Sequence, residues 1–218
     1  MHGIRRLFNF YLNGSIHVAI AVLSLVLMTN HMFQNPFDLD MGGFAFFGTI
    51  FGYNFIKFEI FFRKKKPIWT ELKLIAILSI VSLLLFGYFF LQLERVTQIT
   101  AIVFFVLTFL YAVPLVSNKP NIRNWSGIKI YIVAFCWAGV TTLLPMINSG
   151  IEIYQDIFIK FCQRFLLVIT LILIFEIIDL KNDDLALETV PQKIGVKKTK
   201  ILGILLLVPF YFLEFFKT

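Results

Sequence analysis

Hydrophobic residues gather along this chain in long blocks at 15–33, 42–62, 71–91, 98–116, 130–149, 158–179 and 200–216, with short polar connections between them. A block of about 20 residues, wound as an α-helix rising about 1.5 Å per residue, crosses a hydrocarbon core of about 30 Å. Strands of a membrane barrel would instead alternate apolar and polar positions over about ten residues. The pattern predicts an all-α fold: a polytopic transmembrane helix bundle of about seven spans, forming a single transmembrane domain over residues 1–218.

Composition supports the membrane assignment. With 59% hydrophobic and 15% charged residues and a mean hydropathy of +0.84, there is too little polar side chain to cover a water-soluble globule of 218 residues. The first block follows Arg5 and Arg6 but is long enough to span and lacks a small-residue cleavage site, so it is expected to stay as a helix.

The connections alternate in charge. One set carries Arg5 and Arg6, then Arg63, Lys64, Lys65, Lys66 and Lys73, then Lys119, Arg123 and Lys129, and finally Lys181, Lys193, Lys197, Lys198 and Lys200. The other set is poor in bases and holds Asp38, Asp40, Glu94, Arg95, Glu152 and Asp156. Because cytoplasmic loops are enriched in Lys and Arg, the N-terminus and the connection after the sixth block are expected on the cytoplasmic side. The net charge of +7 is then spread along an inner rim. No recognition module accompanies these bases, so the expected partner is the lipid bilayer and not nucleic acid. Trp69 and Trp125 stand beside the inner connections, where indole rings anchor at headgroup level.

Cys136 and Cys162 match no metal or redox spacing and are expected as buried thiols. His2, His17 and His31 lack a ligand partner at a useful spacing.

Candidate chemistry concentrates where the sixth block ends. Glu176, Asp179 and Asp183 stand at i, i+3 and i+7, on one face if the helix continues through them. Carboxylates at a span end are costly to bury unless they face a partner, a cavity or an ion. Acids one turn apart can share Mg²⁺, which prefers oxygen ligands and completes its shell with water and phosphate. A bridged diphosphate would be stabilised as it leaves, with nearby lysines and arginines on its remaining oxygens. Near the inner end of the second block, Asn54 and Lys57 either face the same cavity or serve as a packing amide and a snorkelling cation. The second and sixth blocks both end in polar inner connections, hinting at a duplicated four-helix unit.

Asp179-Leu180-Lys181-Asn182-Asp183 followed by Thr189-Val190-Pro191 and Gly195 resembles the second aspartate-rich motif of the UbiA-type intramembrane prenyltransferase superfamily. Tyr111-Ala112-Val113-Pro114, followed by Lys119, Arg123 and Gly127-Ile128-Lys129, is similar to the family's central segment. The resemblance covers most of the chain in helix order. It implies a UbiA-like fold and an enzyme that transfers an isoprenyl group from a prenyl diphosphate to a lipophilic acceptor, aromatic or lipid, with Mg²⁺ as cofactor. Asp179 and Asp183 would be catalytic and metal-binding, with Glu176 and Asn54 completing the metal set. Lys57, Lys119, Arg123, Lys129, Lys181 and Lys193 would bind the diphosphate.

The resemblance breaks at the first motif. Asn54 matches its opening asparagine, but Phe58 and Phe62 stand where the family carries aspartates. Glu59 is one residue off, about 100° around an ideal helix. Ile178 replaces an arginine often found before the first aspartate of the second motif. The last two helices of the family have no counterpart up to Thr218, which implies a missing C-terminal segment or completion by another subunit. Two other classes therefore stand beside the enzyme: a divergent isoprenoid- or lipid-binding membrane protein or partner subunit without turnover, and a small transporter with a charged inner rim.

Overall fold

The computed structural model describes residues 2–63, 70–112, 128–180 and 188–217, and these are helical with short turns. In chain order the helices are α1 (His2–Asn13), α2 (Ile16–Met32), α3 (Leu39–Arg63), α4 (Thr70–Gln92), α5 (Arg95–Ala112) and α6 (Ile128–Ala138). A π-turn (Gly139–Leu143) leads into α7 (Leu144–Asn148), followed by α8 (Gln155–Asp179), α9 (Val190–Ile194) and α10 (Val196–Phe212), which ends in a 3₁₀ turn (Leu213–Phe216).

Apart from the end residues Ser15, Phe33 and Ser149, which lie in turns, each apolar block is helical over its described residues, in keeping with the all-α expectation. Among the described residues, four helical segments are long and apolar enough to cross a membrane: Lys73–Gln92, Lys129–Asn148, Gln155–Asp179 and Val196–Phe216. The pair Gly3–Asn13 and Ile16–Met32, bent by 58°, makes a fifth if taken as one span. The chain divides into two compact units, Met1–Gln98 and Ile99–Thr218.

In the first unit, α3 and α4 pack through phenylalanines seated on glycines. A Cβ added at Gly43 would meet Phe89 Cδ2 at 2.6 Å, and one at Gly48 would meet Phe86 Cδ2 at 2.8 Å. The register falls along α4 as it rises along α3, so the two helices run in opposite directions. Phe44 stacks on Phe86 at 5.0 Å between ring centroids and Phe47 on Phe89 at 5.9 Å. Such close approach lets ring faces make dispersion contacts that a longer side chain at Gly43 or Gly48 would block. The start of α3 is fixed by Asp38, whose Oδ1 accepts the Met41 N–H at 2.9 Å, satisfying a donor that the helix leaves open.

In the second unit, α8 is the axis. Ile130 and Ala134 of α6 form a buried cluster with Val168, Ile169 and Leu173 of α8, flanked by Leu202 and Leu206 of α10. The pairs Gln155 with Phe216, Gln163 with Phe210, and Thr170 with Gly203 set α8 and α10 running in opposite directions.

The fifth block departs from a uniform helix. Pro145 lacks an N–H for the carbonyl four residues earlier, and its ring crowds that carbonyl. The chain widens into the π-turn Gly139–Leu143 just before it, a common response to such an interruption.

Candidate functional site

α8 buries Val168, Ile169, Leu173 and Glu176 on one side. Glu176 continues the apolar stripe Ile169–Leu173 at helical spacing, so its carboxylate is drawn inward at the end of the helix, where it is 7% exposed. Both of its oxygens are engaged. Lys129 Nζ lies 2.9 Å from Glu176 Oε1, and the backbone N–H of Val190 donates to Glu176 Oε2 at 3.0 Å. One side chain thus fastens the start of α6 and the start of α9 to the end of α8.

Thr189-Val190-Pro191 and Gly195 have folding roles of their own. Thr189 occupies the cap position of α9, and its N–H donates to Gln192 Oε1 at 2.8 Å. Pro191 lies in the first turn, where a missing N–H costs no intrahelical bond. Gly195 has φ +81°, a backbone state that favours glycine, and joins α9 to α10.

Asp179 is the last residue of α8 and is exposed. It lies one turn beyond Glu176 but past the end of the packed stripe, so its carboxylate is available to solutes. Lys193 pairs with Glu188 at 2.9 Å, with about half of each side chain exposed (48% and 52%). Exposed pairs contribute about 0–1 kcal/mol, so Lys193 is readily released to another anion. Lys129, only 14% exposed and held by Glu176, is not. Asp183, Lys181, Lys119 and Arg123 lie outside the described residues. Among the described residues no group of three or more His, Cys, Asp or Glu is placed to hold a metal ion.

Asn54 and Lys57 belong to the first unit and meet there around the corner between α1 and α2. Asn54 is fully buried; it accepts from Ser15 Oγ at 2.9 Å and donates through Nδ2 to the Gly14 carbonyl at 3.2 Å. Lys57 Nζ donates to the Asn13 carbonyl at 3.1 Å and to Ser15 Oγ at 2.9 Å. These bonds satisfy carbonyls left open at the end of α1, so both residues hold a helix corner.

A second polar cluster went unread in the sequence. Lys160, Gln163 and Arg164 are buried on α8, toward the end away from Glu176, and are 7%, 2% and 2% exposed. Lys160 Nζ donates to Gln163 Oε1 at 3.3 Å, and Gln163 Nε2 donates to the Phe210 carbonyl at 3.0 Å and to Glu214 Oε2 at 2.9 Å. Lys217 pairs with Glu214 at 2.6 Å. Spacing of i, i+3 and i+4 inside an apolar block was the available signal, since ionisable residues within a span face the bundle interior. Both cysteines are free thiols, Cys136 buried and Cys162 half-buried.

No protein-family model, curated protein or solved structure matches this chain.

Proposed function

We propose that this chain is a divergent membrane prenyltransferase, binding a prenyl diphosphate at the Asp179 end of α8 and passing its isoprenyl group to an aromatic or lipid acceptor. The observation that carries the reading is the double engagement of Glu176. By tying Val190 to the end of α8, it fixes the exit of the acidic connection whose entry is the exposed Asp179. It holds together the two described ends, at Asp179 and Val190, between which Asp183 stands in sequence.

The donor chemistry suits a hard cation: carboxylate oxygens, with Glu176 reserved for the scaffold. Asp179 and Asp183 would hold Mg²⁺, which when bound supplies positive charge to a departing diphosphate. Lys193, freed from its exposed pair, binds phosphate oxygens together with Lys181, Lys119 and Arg123. The allylic carbon–oxygen bond breaks, diphosphate leaves, and the acceptor's nucleophilic atom bonds to that carbon and then loses its proton. Aromatic faces among the 27 phenylalanines stabilise the cationic carbon through their quadrupoles. On this reading the basic connections and the site face the cytoplasm.

Binding without turnover is the second reading. It is favoured by Asn54, fully committed to the α1–α2 corner, and by Phe58 and Phe62 where aspartates would complete a second acidic site. Purified protein in nanodiscs with Mg²⁺, labelled farnesyl diphosphate and a pool of aromatic and lipid acceptors separates the two. Diphosphate release that Asp179→Asn abolishes supports transfer. Saturable binding without release supports the second reading, and absence of both overturns the site.

A further inference from the structure

α1 is built unlike the long apolar helices that follow it. Ile4, Leu7, Phe8, Tyr11 and Leu12 recur at i, i+3, i+4, i+7 and i+8, which gathers them on one face. Arg5, Arg6, Asn9 and Asn13 fall on the other. The apolar face is left open: Ile4, Leu7 and Phe8 are 78%, 70% and 57% exposed. At about 1.5 Å per residue this helix is far too short to cross a core of about 30 Å.

It does not simply extend α2. The two helices meet at 58°, and Ser15 at the junction has φ +61°, a left-handed backbone that costs a non-glycine residue energy. That backbone is held by Asn54 and Lys57, which between them bond the Asn13 and Gly14 carbonyls and the Ser15 hydroxyl. Four hydrogen bonds from α3 thus set the angle at which α1 leaves an apolar helix.

We infer that α1 is a membrane-surface helix that docks on anionic lipid. Its apolar stripe enters the boundary between headgroups and acyl chains, and Arg5 and Arg6 bind headgroup phosphates. A short helix with a strong polar face, an apolar stripe and clustered arginines has the physical character of interfacial helices, and bases at the surface of an anionic leaflet are attracted to it. The α1–α2 corner supplies the geometry, turning the helix away from the direction of its neighbour. The Asn54–Lys57 clamp is the positioning device. None of this depends on the transferase reading.

The test uses the full chain with Cys136 and Cys162 replaced by serine, and single cysteines introduced one at a time from Ile4 to Asn13. Each is spin-labelled and reconstituted in nanodiscs of phosphatidylcholine with or without phosphatidylglycerol. Collision rates with oxygen and with a water-soluble nickel chelate are then measured. Docking requires high oxygen and low nickel access at positions 4, 7, 8, 11 and 12, and the reverse at 5, 6, 9 and 13. The depth at position 7 should increase with phosphatidylglycerol, and Arg5→Gln with Arg6→Gln should abolish that increase. Lys57→Met should flatten the periodic pattern along α1 while a label on α4 keeps its own pattern. Uniform nickel access along α1 would contradict docking, as would labels at 4, 7 and 8 shielded from both reagents, which would mean that protein covers the stripe.

Discussion

Glu176 and Lys129 form a nearly buried ion pair at 2.9 Å, and the second carboxylate oxygen of Glu176 accepts the N–H of Val190. A residue whose spacing made it a candidate metal ligand is the fastener of three helices. Removing one partner of such a pair strands the other in a poorly solvated place. Glu176→Ala is expected to lower stability by about 3 kcal/mol, whereas Glu176→Leu combined with Lys129→Met recovers much of the loss. Thermal unfolding of the purified variants in one detergent checks the order: single substitution least stable, double substitution intermediate or better.

Gly139 is a place where any side chain collides. A Cβ there would stand 2.0 Å from Phe104 Cζ, so Gly139→Ala must push the ring aside, at a cost of about 1–3 kcal/mol. Adding Phe104→Leu should relieve most of that penalty. An alanine variant as stable as the parent would show that the ring does not sit on this glycine.

Gln163 links α8 to α10 through the Phe210 carbonyl and Glu214, and also accepts from Lys160. Gln163→Leu keeps the bulk but removes every one of these bonds. The expected loss is about 1–3 kcal/mol, with faster hydrogen exchange near the 3₁₀ turn Leu213–Phe216. Unchanged exchange there would argue against the link.

Asn54 gives the sharpest separation between scaffold and chemistry. Asn54→Leu breaks the bonds to Ser15 and Gly14 and should cost about 1–3 kcal/mol. Hydrogen exchange at residues 13–16 should accelerate, while the Mg²⁺ concentration that supports half-maximal prenyl diphosphate binding stays the same. A shift in that concentration without a change in exchange would return Asn54 to the metal set.

Helix identity was legible because long apolar blocks leave the backbone no alternative in lipid. The amphipathic α1 was hidden by its neighbour: Arg5 and Arg6 read as a charged lead-in to the first block, although Ile4, Leu7 and Phe8 already shared a face. Spacing placed Glu176 and Asp179 on one side of a helix, but what each faces depends on where packing stops. Leu173 and Glu176 lie inside that limit and Asp179 beyond it. The same holds for Asn54 and Lys57, whose partners at Asn13, Gly14 and Ser15 come from some 40 residues away in sequence (|i−j| 39 to 44). Pro145 carried the signal for the π-turn, since an interior proline must disturb the helix before it.

On the proposed reading, the exposed Asp179, one turn past the structural Glu176, binds a diphosphate-bearing isoprenoid through Mg²⁺. The most direct test of that reading is equilibrium binding of labelled farnesyl diphosphate to the full chain in nanodiscs, with Mg²⁺ and with EDTA, for the parent and Asp179→Asn. Exposed and outside the packed stripe, Asp179→Asn should leave stability within about 0.5 kcal/mol of the parent. The expected result is saturable binding that needs Mg²⁺ and is lost in a fully folded Asp179→Asn protein. Equal binding by parent and variant, or binding indifferent to EDTA, would contradict it.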